Sequence, residues 1–189
     1  MTTSTFLAAG AAYSTLSKEG ANLALCTTIN TTANPEYPAL PFALGEVTEG
    51  TDGSTWVYAK PAANYAIGTF GWFDASWNFT AITTTAASGI SGYKMGCMSQ
   101  VASVTATPTS TLYDGVWVQT SGGCPGILCA ASTSAFAQLY TYTVAGELNS
   151  SSGGGAVAIN GVIIITAVGA SAAANAVGVL NFPELSLTT

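Results

Sequence analysis

The sequence predicts an all-β protein: a small β-barrel or β-sandwich preceded by an extended N-terminal arm. Two observations carry the β assignment. From residue 40 onward, short runs rich in Val, Ile, Thr, Tyr, Phe and Trp are separated by Gly-, Ser- and Asn-bearing turns, the rhythm of sandwiches and closed barrels. Beyond residue 45 no segment repeats apolar residues at the intervals of an amphipathic helix. A third observation, the contrast between residues 1–37 and the rest, sets the arm apart.

Residues 1–37 scatter Phe6, Leu7, Tyr13, Leu16, Leu23, Leu25 and Ile29 without a sustained strand or helix period. They close in "TTANPEYP", whose Asn-Pro and Tyr-Pro pairs disfavour helix. We read them as an arm that lies on another surface, with a short helical turn near 4–13. Residues 38–189 form one domain, and a chain of 189 residues can bury a core without metals or disulfides.

"PFALGEVTEGTDGSTWVYAK" opens that domain. Asp52-Gly53 supplies a turn that tolerates positive φ. "STWVYA" is a strand, with Trp56 and Tyr58 on one face as core anchors and Val57 opposite. Glu46, Glu49 and Asp52 keep the turn solvated. "YAIGTFGWF", a turn at "DAS" and "WNFTAITT" make the next pair. Alternation puts Phe70 and Trp72 on one face, Phe73 on the other, and Trp77 with Phe79. One set fills a core, and the other faces outward or into a neighbouring subunit. "YKMGCMSQVAS" is followed by "GVWVQT", a turn at "SGG" and "CPGILCA". "FAQLYTYT" and "GELNS" flank a Val-Ala-Gly turn, and "INGVIIITAV" with "AVGVLNF" closes the chain. Residues 105–115 and 149–155 read as loops by composition.

Charged residues make up 6% of the chain, against about 25% in an average soluble protein. Lys18, Lys60 and Lys94 are its only cations, and nine carboxylates bring the formal charge to −6. Nucleic-acid binding needs clustered cations, so it is excluded, and anionic membranes are disfavoured. A surface of Ser, Thr and Asn suits a protein packed in many copies. The run "AINGVIIITAVGASAAANAVGVL" is interrupted by Gly161, Gly169, Asn160 and Asn175 and reads as two strands, not a spanning helix. The N-terminus lacks the positive region of a signal peptide, so export is not expected.

Reactive chemistry is scarce. Without histidine no Ser-His-Asp or Cys-His arrangement can form. Glu46, Glu49 and Asp52 lack calcium-loop spacing and precede a strand as a wet turn. "SSGGGA" is followed by no Lys-Ser/Thr, so it is no phosphate loop. Sequons at Asn30, Asn78 and Asn149 matter only in a eukaryotic secretory protein. Cys26, Cys97, Cys124 and Cys129 have no histidine to complete a zinc set. They read as buried free thiols or, for Cys124 and Cys129, as a bridge across a tight turn; a cytoplasmic origin keeps them reduced. Neither catalytic residues nor a metal or cofactor is expected.

The stretch from Phe42 through Leu44-Gly45 and Asp52-Gly53 to Trp56-Val57-Tyr58 resembles the start of the β-domain in head decoration (cement) proteins of tailed bacteriophages. "SGYKMGCMSQVAS" before "DGVWVQTSGG", then "LYTYTVAGEL", then "INGVIIITAV" with "VLNFPEL" are similar to that family's later motifs, in the same order over residues 40–185. The resemblance implies a non-enzymatic virion protein on the outer face of an icosahedral capsid, made in the bacterial cytoplasm. Its partners would be the major capsid protein and itself, as a homotrimer or a dimer. Contacts are expected at Phe6, Tyr13, Leu23 and Leu25 of the arm and at Phe70, Trp72, Phe73 and Trp77 of the aromatic strands. The rival expectation is a carbohydrate- or receptor-binding module of a head or tail fibre, stacking sugars on Trp72 and Trp77.

Overall fold

The computed structural model describes residues 16–24, 40–87, 94–100 and 115–186. The helical turn expected near 4–13, the 105–114 loop, Phe6, Tyr13, Leu25 and Cys26 lie outside them. The described chain is all-β apart from one helical turn, α1 (Thr84–Ala87). Its strands are β1 (Val47–Glu49), β2 (Thr55–Pro61), β3 (Phe70–Phe73), β4 (Asn78–Ala81), β5 (Met95–Cys97), β6 (Val116–Cys129), β7 (Leu139–Thr141), β8 (Leu148–Asn149), β9 (Ala158–Ile164) and β10 (Ala174–Leu185).

Five of these strands close a barrel in the order β2–β4–β3–β5–β6, with β6 pairing back onto β2. The β2–β4 contact is parallel, through Lys60–Asn78 and Pro61–Phe79. A second circuit leaves β6 through β10, β9, β7 and β8 and returns to β6 at the parallel Cys129–Leu148 pair. β6 therefore belongs to both rings.

Here the fold departs from the sequence expectation, which broke this stretch into two strands at "SGG". The break is a bend within one strand of 14 residues. Ser121 is the hand-over position: it pairs with Thr55 of β2 and with Asn181 of β10. Gly122 follows at φ +92°, and a β-carbon there would stand 2.8 Å from the Ser54 Cα. Only glycine fits both demands. Pro125 falls where the β6–β10 register slips, between Gly178 opposite Cys124 and Ala176 opposite Ile127. A residue with no N–H is tolerated at such an irregularity.

The barrel is filled by Val57, Ala59, Phe73, Phe79, Val116 and Val118, with Met98 beside them. The odd and even residues of β2 and β6 part as strand alternation requires, so Trp56, Tyr58 and Trp117 point out of the barrel. That outer aromatic layer is also buried, against Leu23 and under Leu40, Phe42 and Leu44. The Phe42 ring stands 5.4 Å from Tyr58 and 5.0 Å from Trp117, in tilted or edge-on contact. The second ring encloses an aliphatic core of Ile127, Leu139, Leu148, Ile159, Ile164 and Leu180, with Cys97, Cys124 and Cys129 among them.

Part of the expected arm belongs to this fold. Ser17 bridges Gly50, and the Lys18 amide donates to the Glu49 carbonyl at 2.7 Å, so residues 16–18 extend the sheet beyond β1. Leu23 is fully buried on Trp56, Tyr58 and Trp117. Removing a leucine side chain from water is worth roughly 1.5–3 kcal/mol, enough to hold an otherwise aperiodic segment.

The turn before β2 is also more than a wet loop. The Asp52 Oδ1 accepts from the Ser54 amide at 3.0 Å and from the Ser54 hydroxyl at 2.5 Å. That hydroxyl oxygen accepts from the Trp56 indole Nε1 at 2.7 Å. Gly53 takes the positive φ of +82° expected of it. Asp52 thus fixes the turn to one of the two tryptophans of the outer core layer, a role that the solvated-turn expectation missed.

Candidate interaction surface

The aromatic strands fold with the alternation expected, but most of their rings are used up internally. Phe70 and Trp72 face the second ring's core, while Phe73 and Phe79 face the barrel interior with Trp77 packed against them. Phe70 and Phe73 are 0% and 2% exposed, and Leu23 is 0% exposed. These three are core residues and cannot present themselves to a partner, which corrects the expectation that they form contacts. Trp72 and Trp77 are half-buried. The Trp77 ring packs on Phe73 at 6.0 Å, and the Lys94 Nζ stands 5.5 Å from its centroid. That indole is therefore already engaged by a ring and a cation of its own chain.

The exposed apolar surface lies elsewhere. In the second ring, Val162, Ile164 and Leu180 point inward while Ile163, Ile165 and Val179 point out, at 39%, 44% and 42% exposure. Ile163 is the direct partner of Val179, and Val179 is in turn opposite Gly123 on β6. These strands and the residue after β9 thus present an uncharged strip with no chain over it among the described residues. In sequence these residues lay inside an apolar run, and strand alternation alone could have assigned half of them to the outside.

Beside this strip, β10 breaks register with β9 between Leu180 opposite Val162 and Glu184 opposite Asn160. Phe182 sits in the break, 62% exposed and at φ +46°. A bulky residue with positive φ costs of order 1–3 kcal/mol and marks positions held for a purpose. Phe182 forms one wall of a cleft of about 370 Å³. Val47, Val57, Met95 and Pro183 supply the other apolar walls, and Thr55 and Thr120 line it as well. Lys94 and Glu184 place one charge of each sign on it.

A second bulky residue is held in the same way. Phe136 is 70% exposed at φ +56°, in a turn where Ser132 also has a positive φ of +62°. The turn is tied down on several sides. Phe136 N donates to the Ile164 carbonyl at 2.9 Å, Ser132 N to the Gly169 carbonyl at 3.0 Å, and Ser134 N to the Ser150 hydroxyl at 3.0 Å. The buried Thr133 hydroxyl donates to the Ala130 carbonyl at 2.7 Å. The backbone that carries the exposed Phe136 ring is thus tied down.

Charge plays local parts only. Lys18 pairs with Glu49, and this hydrogen bond raises the lysine's pKa; the Thr48 hydroxyl, donating to Glu19 at 2.5 Å, lowers that carboxyl's. Asp74 closes the β3–β4 turn: it accepts from the Asn78 side chain at 2.7 Å and from the Ser76 and Asn78 amides at 2.8 and 2.9 Å. The Asn78 side-chain bond is the main cause of its lowered pKa. Glu46 accepts from the Ala43 amide at 3.1 Å. The three acidic residues of the opening turn therefore act separately, and no cluster of metal-ligating side chains occurs among the described residues.

Cys97, Cys124 and Cys129 are free and buried, so the Cys124–Cys129 bridge is not formed. The Cys97 Sγ lies 3.2 Å from the Gly126 carbonyl oxygen and 3.3 Å from that of Gly68. Burial, then the neighbouring Cys124 thiol, pushes Cys97 well above the ordinary thiol range, and burial raises Cys129 to about 12. Thiols this far from ionising are poor nucleophiles.

The fold and its surfaces define a closed-barrel all-β protein whose second ring carries exposed apolar residues among the described ones. No family model, no curated protein and no solved structure matches the sequence or its fold.

Proposed function

We propose that this chain is a non-enzymatic structural protein of a virion, which binds the outer surface of an icosahedral phage head and stabilises contacts between capsomers. One observation carries the reading: the uncharged strip of Ile163, Ile165 and Val179, an apolar surface on a single face of three paired strands. Both rings are closed, so few strand edges remain for β-addition, and partners must be met through side-chain faces. The order of motifs that resembles decoration proteins adds to this, as does a surface charge low enough for dense packing of copies. The major capsid protein is the partner proposed for the strip, and a second copy of the chain, as in a homotrimer, is the other. Reduced thiols accord with synthesis in the bacterial cytoplasm.

In this reading the work is done by multivalency: a modest contact repeated over a symmetric shell adds up without any strong single site. The rival, a carbohydrate- or receptor-binding module, has less support, because the Trp77 ring it needs as a platform is occupied by Phe73 and Lys94.

The test is the copy number of the protein in purified particles by gel densitometry, together with the heat and osmotic resistance of particles lacking its gene. A decoration protein is present at on the order of hundreds of copies per particle, and shells without it rupture at lower temperature. A few copies per particle, or shells equally robust without it, would refute the proposal.

A further inference from the structure

We propose that the cleft beside Phe182 binds a small zwitterion with an aromatic body, its anionic end toward Lys94 and its cationic end toward Glu184. These two charges line one cleft, yet neither is ion-paired to the other or to any described residue; the ion pair found there joins Lys18 to Glu49. Lys94 meets the Trp77 ring instead, 5.5 Å from its centroid. The chain has three cations in all, and one of them stands at this cleft with an acid that it does not touch. Charge sorts the possible ligands. A cation alone would gain Glu184 and meet Lys94, and an anion alone would do the reverse. A neutral ring would take water from both charged groups and return no hydrogen bond to either. Only a molecule with both signs satisfies the pair. Thr55 adds to this. Its hydroxyl oxygen accepts from the Ser121 hydroxyl at 2.9 Å, which leaves its own hydrogen to donate to an anionic group.

The body of the ligand follows from the walls. Val57, Met95 and Pro183 are buried and make an apolar bed, with Phe182 beside them 62% exposed. An aromatic ring laid there gains an offset or edge contact with Phe182 and a sulfur contact with Met95. At about 370 Å³ the cleft is near the small end of ligand sites, which run from roughly 300 to 1,000 Å³. It therefore suits one ring with its charged groups. The backbone of the Phe182 wall is already fixed: the register break in β10 holds it at φ +46°, and Pro183 follows it. Binding then carries little cost of ordering that wall. The inference does not depend on the virion reading, because the strip of Ile163, Ile165 and Val179 takes no part in the cleft.

The test is isothermal titration calorimetry of the full-length chain with L-phenylalanine, the dipeptide L-phenylalanyl-glycine, phenylacetate and phenethylamine. The first two are zwitterions that differ in the separation of their charges, and the last two carry one charge each. At least one zwitterion is expected to bind, and both singly charged probes to bind at least about tenfold more weakly than it. Lys94→Met and Glu184→Gln should each weaken that zwitterion by about tenfold or more. The variants should also cross over: Lys94→Met gains affinity for phenethylamine and Glu184→Gln for phenylacetate, since each loses the charge that opposed that probe. Lys94 and Glu184 are exposed, so both variants should keep the wild-type melting temperature. Val179→Ser, outside the cleft, should bind as wild type does. The inference is overturned if neither zwitterion binds at millimolar concentration, or if the singly charged probes bind as tightly as the zwitterions. Variants that bind every probe as wild type does would overturn it as well.

Discussion

The two rings share a strand and differ in how their outsides are treated. The barrel has a second layer: Trp56, Tyr58 and Trp117 project outward from it, and Leu23, Phe42 and their neighbours cover them. The second ring has none, and Ile163, Ile165 and Val179 face outward uncovered among the described residues. The barrel's interior is aromatic and β-branched; the second ring's is mainly aliphatic, with Phe70 and three thiols. A chain with so little charge has few ways to keep apolar strand faces wet. Among the described residues, one face is covered by the chain's own side chains and the other is exposed, so the first is finished by folding and the second is not.

The largest effect expected from disturbing this arrangement is at the covered ring. Trp56→Ala removes a buried aromatic and the hydrogen bond to Ser54, and should cost about 3–5 kcal/mol in urea unfolding. A loss below about 1 kcal/mol would mean that the outer layer contributes little. Leu23→Ala should cost about 2–5 kcal/mol by the same measurement, as for other buried leucines. A neutral result would return residues 16–24 to the status of a detachable arm. On the bare ring the sign of the comparison reverses. The double change Ile163→Ser, Val179→Ser should alter stability by no more than about 0.5 kcal/mol per site; under the proposed function it should also abolish co-sedimentation with capsids.

The smallest effect concerns the β3–β4 turn. The folded pKa of Asp74 is depressed, so its stabilising contribution is present above the ordinary carboxylate range and is lost as pH falls through the lowered folded value. Acid titration followed by unfolding should show wild type losing stability below about pH 4, and Asp74→Asn should show less of that acid dependence. Identical acid profiles would remove Asp74 from the account.

Much of this was legible in the sequence. The β class, the closing β9–β10 pair, the Asp52-Gly53 turn and the opposed faces of Trp56 and Val57 all follow from alternation and turn chemistry, which are local. Gly122-Gly123 and Pro125 misled for a physical reason: the residues that make a turn also make a bend, and only pairing partners far along the chain tell them apart. Leu23 was unreadable as core because one apolar residue in an aperiodic stretch has no pattern to announce it. Phe70 and Phe73 looked available because alternation shows that two faces exist and does not show that both are covered. The cleft draws on β1, β2, β5, β6 and β10, so no window of sequence contains it. The positive φ of Phe136 and Phe182 has no signal in residue type, since glycine or asparagine would be expected there.

The hand-over at Ser121 has one further consequence. Since β6 hydrogen-bonds both circuits, melting either one strips pairing partners from a strand of the other, and a calorimetric scan should give one sharp endotherm. Pulled by its ends under an optical trap, the molecule should give way in a single rip.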